Sequence, residues 1–454
     1  MTGLSSHMRA TLALGLPLIG GMLAQIAIQV TDTVMMGWYG VPELAAVALG
    51  GSYFHVVLIL GMGFGLAVMP MVAAAAGNDD RRQVRRITRM GLWIALIFSA
   101  LAMPLFIWSG QILRALGQTE EVATMAQTYL RIAGWGIAPA VVMTVLRSHL
   151  SALEHARVVL WAVLGGAIAN AAMNWVLIFG NLGAPELGIA GAAIASIGTQ
   201  TVIALALALH AGLHRDLKQD TLFARFWRPD WEAFGQVFRL GWPIALTLLS
   251  ESGLFMATLV MMGWIGPNPL AAHGIAIQIC SVTFMVHIGL SQAATVRAGR
   301  AFGKGDVDNL RLAALAALIL SGAMVALTIA GFVLFPDFLI GLFLDPADPL
   351  RPEILAIGAS LLMVAALFQL ADAGQVMALG LLRGVQDTRV PMVYALIAYW
   401  VLGLPAAYVI GFPLGYGAPG IWAGLVVGLA FAAALMMTRF WRGPARRPAL
   451  ATPA

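Results

Sequence analysis

Apolar residues fill twelve long stretches of this chain, parted by short polar breaks. They fall at roughly 11–36, 45–74, 87–110, 125–150, 158–180, 187–212, 236–262, 270–300, 310–335, 352–381, 391–411 and 418–440. Each has at least the roughly 20 residues that an α-helix needs to cross a bilayer. The pattern predicts an all-α membrane protein with twelve transmembrane helices. The breaks are as informative as the runs. Basic residues gather in "RRQVRRITR" (81–89), read as the loop after the second helix, and around Arg215, Lys218, Arg225, Arg228 and Arg239. They gather again around Arg297, Arg300, Lys304 and Arg311, and in a tail with Arg439, Arg442, Arg446 and Arg447. With Arg9, Arg147, Arg157, Arg383 and Arg389, one side of the membrane receives 23 of the 26 basic residues; Arg114, Arg131 and Arg351 fall on the other. The positive-inside rule makes the rich side cytoplasmic, with both termini there.

The pattern also repeats. At a shift of 226 residues "LGLP" (14–17) meets "LGWP" (240–243), "MMGWYG" (35–40) meets "MMGWIG" (261–266), and Gly77 and Asp80 meet Gly303 and Asp306. At a shift of 232, Arg157 meets Arg389 and "GI" (188–189) meets "GI" (420–421). The expected organisation is an N-terminal six-helix lobe (1–212), a cytoplasmic connector (213–235), a C-terminal six-helix lobe (236–440) and a cytoplasmic tail (441–454). Six is even, so both halves enter the membrane in the same sense, and a pseudo-two-fold axis is expected along the membrane normal. Two such lobes suit a transporter whose central cleft opens alternately to each side.

Composition agrees. Of 454 residues 60% are hydrophobic and 10% charged, where a soluble domain carries about 25% charged residues. The net charge of +5 is spread over short breaks, so no nucleic-acid partner is expected. Cys280 is the single cysteine, which leaves no disulfide framework and no cysteine-based metal site. The first apolar run is too long for the core of a cleavable signal peptide.

Of the 21 Asp and Glu residues, eighteen fall in the breaks or at helix ends and three do not: Asp32, Glu251 and Asp372. An acid at the bilayer centre costs about 2.5–3.5 kcal/mol on insertion scales, and such residues mark ion or proton paths. Each has polar neighbours at helical spacing: Gln25 and Gln29 with Asp32, Thr247 and Thr258 with Glu251, Gln369 and Gln375 with Asp372. Asn170 and Asn174 stand one turn apart on the fifth helix. These stripes are candidates to line the cleft; contacts between packed helices are the structural alternative. At 1.5 Å per residue, Glu251 lies roughly 18 Å from Arg239 and Asp372 roughly 16 Å from Arg383. Those two acids can share one cation or proton, while Asp32 forms a separate site in the other lobe. A carboxylate in a low-dielectric cleft holds a proton more tightly, and with oxygen neighbours it also holds Na⁺. Sequence leaves the coupling ion open between Na⁺ and H⁺. The repeat sharpens the asymmetry, because the second half has Glu251 where the first has Gln25, and Thr258 where the first has Asp32.

These residues resemble the multidrug and toxic compound extrusion (MATE) family, most closely its bacterial NorM-type branch. The likeness runs from about residue 10 to 440 and is most specific in "GLPL…DTVMMGWYG" (15–40), "MMGWIG" (261–266), "LLSESGLF" (248–255) and "FQLADAGQVMALGLLRGVQDTRVPM" (368–392). It implies export of bulky, often cationic drugs and toxic compounds, driven by inward Na⁺ or H⁺. It implies cation coupling at Glu251 and Asp372, and protonation or drug release at Asp32. Asn170 and Asn174 match polar positions near that acid; some relatives carry an acid where Asn174 stands, so a strong ion site in the first lobe is not expected. Phe368 stands where some relatives carry Tyr, which keeps a cation–π contact but not a hydroxyl ligand. Pro17 matches a proline where helix 1 bends, and Pro243 gives the second half the same capacity.

Other signals carry less. "GMGFG" (61–65) sits inside a helix with no strand before it, so helix packing explains it. His55, His149, His155, His273 and His287 lack metal spacing, and no metal is expected beyond Na⁺ at Glu251 and Asp372. The Met residues suit an adaptable apolar wall, and the Arg run suits lipid headgroups. The expectation is therefore a cation-coupled multidrug antiporter, not an enzyme, without a cofactor, monomeric, in the bacterial inner membrane. Its partners are small-molecule drugs and lipids. A lipid-linked oligosaccharide flippase would need a cationic cleft, where the intramembrane charges here are acidic. A receptor or scaffold would need long loops or a soluble domain.

Overall fold

A computed structural model describes residues 3–218 and 221–446. Two connector residues and the end of the expected tail, from Arg447 onward, lie outside the described residues. Twelve helices among these are long and apolar enough to cross a membrane, and no strand occurs among the described residues. They are α1 Leu4–Tyr39, α2 Val41–Gly77, α3 Arg81–Ile107, α4 Glu120–Ala152, α5 Ala156–Phe179, α6 Gly188–Leu213, α7 Trp231–Ile265, α8 Pro267–Gly303, α9 Val307–Leu334, α10 Arg351–Gly384, α11 Arg389–Gly411 and α12 Gly417–Arg442. Most overrun the apolar windows by several residues, because polar end turns propagate the helix beyond the hydrocarbon.

The run at 81–89 is such a turn rather than a loop. Asp80 caps α3 by accepting from the Gln83 backbone N–H at 2.9 Å, and Arg is a good helix former. The repeat explains the pairing of Asp80 with Asp306, which caps α9 through the Asn309 N–H at 3.0 Å. Asp79 and Gly305, also 226 apart, both adopt left-handed φ, 55° and 67°. The arginines then hold the connector. Arg85 donates to Thr221 Oγ1 at 2.9 Å, Arg89 to the Leu222 carbonyl at 2.7 Å, and Arg86 pairs with Asp230 and, at 2.7 Å, with Glu232. Trp93 Nε1 donates to the Phe226 carbonyl at 3.0 Å.

The chain divides into two compact units, Gly20–Ala245 and Met1–Ile19 with Leu246–Ala454. The chain passes from one to the other inside α1 and inside α7. Ile19 and Ala245, the last residues before each passage, stand two after Pro17 and Pro243. A proline inside a helix removes one backbone hydrogen bond, so each passage lies at the weakest link of its helix. The repeated motif is also spent alike in both halves. Met36 and Met262 are fully buried, whereas Trp38 and Trp264 are 73% and 64% exposed, as interface anchors would be.

The core of Gly20–Ala245 centres on Phe106, Leu130, Ile137, Leu146 and Leu150; that of the other unit on Trp422, Tyr399 and Phe440. Helices approach closely at small residues, as membrane helices do. On α12, Gly420, Gly424 and Gly428 recur every four residues, and a Cβ at Gly424 would lie 2.1 Å from the Ala407 backbone nitrogen on α11. Backbone cannot yield there, so Gly424→Ala should destabilise by about 1–3 kcal/mol. The check is a lower thermal unfolding midpoint in detergent than that of Gly322→Ala, where a Cβ meets nothing within 4 Å.

Asp230, just outside α7, is held below the usual carboxylate range by the Arg86 guanidinium. A depressed folded value means that this stabilisation is present above the unfolded value and lost as pH falls through the folded one. Connector docking should therefore weaken below about pH 4, the ordinary Asp value. Limited proteolysis within 221–230 should rise on acidification. In Asp230→Asn it should be high already at neutral pH and respond less to acid.

Candidate functional site

The three intramembrane acids fall into two clusters, each inside one unit. In Gly20–Ala245, α1 supplies half-buried Asp32 and α5 supplies Asn170 and Asn174, both fully buried. Their one-turn spacing aims both amides at one carboxylate oxygen. Asn170 Nδ2 donates to Asp32 Oδ1 at 3.0 Å and Asn174 Nδ2 at 2.6 Å. Asn174 Nδ2 also lies 3.2 Å from Asn170 Oδ1. Tyr129 on α4 lies close enough to feel the Asp32 charge and hydrogen-bonds Ser196 on α6. Two N–H donors on one oxygen stabilise a negative charge. Sequence reasoning placed Asn170 and Asn174 near Asp32; Tyr129 and Ser196 carried no signal, because neither interrupts its helix with a charge. Gln25 is half-buried, and its Oε1 accepts from Arg147 at 3.2 Å. Gln29 is exposed.

In the other unit, Glu251 and Asp372 are 9% and 1% exposed, and their charges interact. Around them Gln369 and Gln375 are fully buried. Gln369 Nε2 donates to Thr283 Oγ1 on α8, and Gln369 also hydrogen-bonds Cys280. Gln375 Nε2 donates to the Tyr399 hydroxyl at 2.5 Å. With their nitrogens engaged, Gln369 Oε1 and Gln375 Oε1 are buried without a hydrogen-bond partner among the described residues, as are Glu251 Oε1 and Asp372 Oδ1. Four buried acceptor oxygens, two of them on carboxylates, form a set that a proton, a hard cation or an ordered water can satisfy. Phe368 is buried and meets Phe255 and Trp422 edge-on, at centroid distances of 6.1 and 5.3 Å.

The periodicity hid how α11 contributes. Residues Ile397–Gly403 form a π-helical segment, a form frequent at functional sites. From it Tyr399 reaches Gln375 on α10, and Trp400 Nε1 donates to Ser250 Oγ at 2.7 Å on α7. One turn of α11 thus ties together both acid-bearing helices.

Arg147 and Arg383, assigned above to the polar margin, also take part. Arg147 is 9% exposed and meets Gln25; the Arg383 charge interacts with Glu251. Both stand near the end of the fourth helix of their half, and their partners are repeat equivalents. Each half has kept the arginine, but only the second puts an acid before it. Three histidines also come together outside both clusters. His155, His210 and His214 each offer a ring nitrogen, and these nitrogens lie within 4.8 Å of one another. His210 and His214 have i, i+4 spacing, a signal legible in the sequence.

The MatE family model matches residues 17–176 and 243–409, one block in each half. The chain is 47% identical over 440 residues to the probable multidrug resistance protein NorM of Rhizobium meliloti (strain 1021), covering 96% of this chain and 94% of that protein. It is 44% identical over 438 residues to the protein of the same description from Agrobacterium fabrum, covering 96% and 94%. Among solved structures, it matches an outward-facing multidrug resistance MATE family transporter of the MOP superfamily with TM-score 0.87 at 22% identity, covering 97% of each chain. It matches a eukaryotic MATE transporter with TM-score 0.83 at 20% identity, covering 98% of each chain. At that identity the likeness is one of fold.

The Asp32–Asn174 bond has a measurable worth. A double-mutant cycle of Asp32→Ala and Asn174→Ala, read by unfolding in detergent at neutral pH, should give a coupling of about 1.5–3 kcal/mol, as for a hydrogen bond to a charged group. Additivity within about 0.5 kcal/mol would mean that the carboxylate does not use this donor.

Proposed function

This chain belongs to the MatE family, and on that premise we propose that it is a multidrug efflux transporter working as a cation-coupled antiporter. Bulky, often cationic compounds leave the cell by alternating access while Na⁺ or H⁺ enters. The observation that carries the coupling is the set of buried, unpartnered oxygens around Glu251 and Asp372. An inward-moving cation or proton neutralises these acids and is given up on the other side. Asp32, already held by two amide donors, takes part through protonation, as a second acid in the other unit. Relatives named as multidrug resistance proteins, at 47% and 44% identity, support the substrate class. The basic asymmetry supports an inner-membrane location with both termini cytoplasmic, the exposed Arg81 and Arg82 contact lipid headgroups, and the transporter works as a monomer without a cofactor.

Purified protein in liposomes tests this with one gradient imposed at a time. Drug efflux should follow either an inward Na⁺ gradient or an inward pH gradient. Glu251→Gln keeps the side-chain shape but removes the ionisable group, and should bring driven efflux down to the level of empty liposomes; Asp372→Asn should do the same. Full driven efflux by Glu251→Gln would end the coupling role of this cluster.

A further inference from the structure

Three histidines that sequence separates meet where α5 begins and α6 ends. His155 directly precedes α5, after a turn in which Glu154 takes a left-handed φ of 68°. His210 lies in the last turn of α6, and His214 caps that helix, its N–H donating to the His210 carbonyl at 3.0 Å. The ring centroids are 4.6 Å apart for His210–His214, 5.0 Å for His155–His214 and 5.4 Å for His155–His210. We propose that His155, His210 and His214 form a binding site for a divalent transition metal of the zinc class, which clasps the start of α5 to the end of α6.

The donor geometry suits that ion. Four ligands at about 2.0–2.1 Å in a tetrahedron stand about 3.3 Å apart. His210 Nε2 and His155 Nδ1 are 3.4 Å apart. His214 Nδ1 is buried and makes no hydrogen bond among the described residues, and Asp216 Oδ2 stands 3.7 Å from it. A histidine nitrogen with a carboxylate nearby is a common arrangement around zinc, where the carboxylate orients the ring or becomes a further ligand. Three imidazoles with an oxygen within reach select zinc, cobalt, nickel or copper over sodium, calcium or magnesium. The site uses none of Asp32, Glu251 or Asp372, so it stands independently of the antiport reading. Its role is a structural clasp at the point where the chain leaves α6 for the connector.

The test uses full-length protein without a histidine tag, stripped with a chelator and titrated in detergent with Co²⁺ and then Zn²⁺. The expected result is one Co²⁺ per chain with the visible absorption of a tetrahedral site, bleached by Zn²⁺, and a higher unfolding midpoint with Zn²⁺. His210→Asn and His155→Asn should each lose the absorption and the Zn²⁺-dependent shift, while His55→Asn keeps both. Size-exclusion profiles and metal-free unfolding midpoints of the variants show that they fold, and His214→Gln replaces any that does not. Absence of stoichiometric binding by the wild-type chain, or binding unchanged in His155→Asn and His210→Asn, would overturn the site.

Discussion

In hydrocarbon no water satisfies a backbone N–H or C=O, so each spanning segment must bond its own backbone. Every feature of this protein follows from that constraint or from a local exception to it. Twelve long helices largely satisfy it. Local exceptions include Pro70 in α2, Pro104 in α3 and a 3-10 stretch at Gly134–Gly136 in α4, and three others bear on the units and the site. Pro17 and Pro243 break one bond each in α1 and α7, two residues before the chain passes between its compact units. The π-helical segment of α11 shifts the backbone register over seven residues, and from it two adjacent side chains engage two different helices.

The same medium makes each buried polar side chain answer for itself. At Asp32 the answer lies within the fold, as two asparagine amides one turn apart on α5. At Glu251 and Asp372 it does not, for the neighbouring amide nitrogens are engaged elsewhere and the oxygens stay open. In the first cluster the carboxylate itself has protein donors, while in the second each acid keeps a buried oxygen without a hydrogen-bond partner among the described residues. That difference fits a division of labour between the halves of a duplicated chain. The duplication kept the capping aspartates, the motif tryptophans and a buried-end arginine in each half. It diverged at Gln25 and Glu251, where one half bonds its arginine to a neutral amide and the other faces it with a charge.

Sequence by itself determined the number of helices, the repeat, the family likeness and the three acids. Long apolar runs and charges within them are local properties, and lipid leaves an apolar run little choice but helix. Likewise "MMGWYG" and "MMGWIG" were legible as shared scaffold, because burying Met and exposing Trp are set by depth along one helix. Tertiary structure alone decided which polar groups meet. A π turn aims Tyr399 at Gln375, and an aspartate cap and the connector give the "RRQVRRITR" run its partners. His155 met His210 and His214 only because α5 and α6 pack antiparallel over 55 residues of chain. Such meetings depend on helix rotation and register, which arise from packing between segments far apart in sequence, and no period along one segment encodes them.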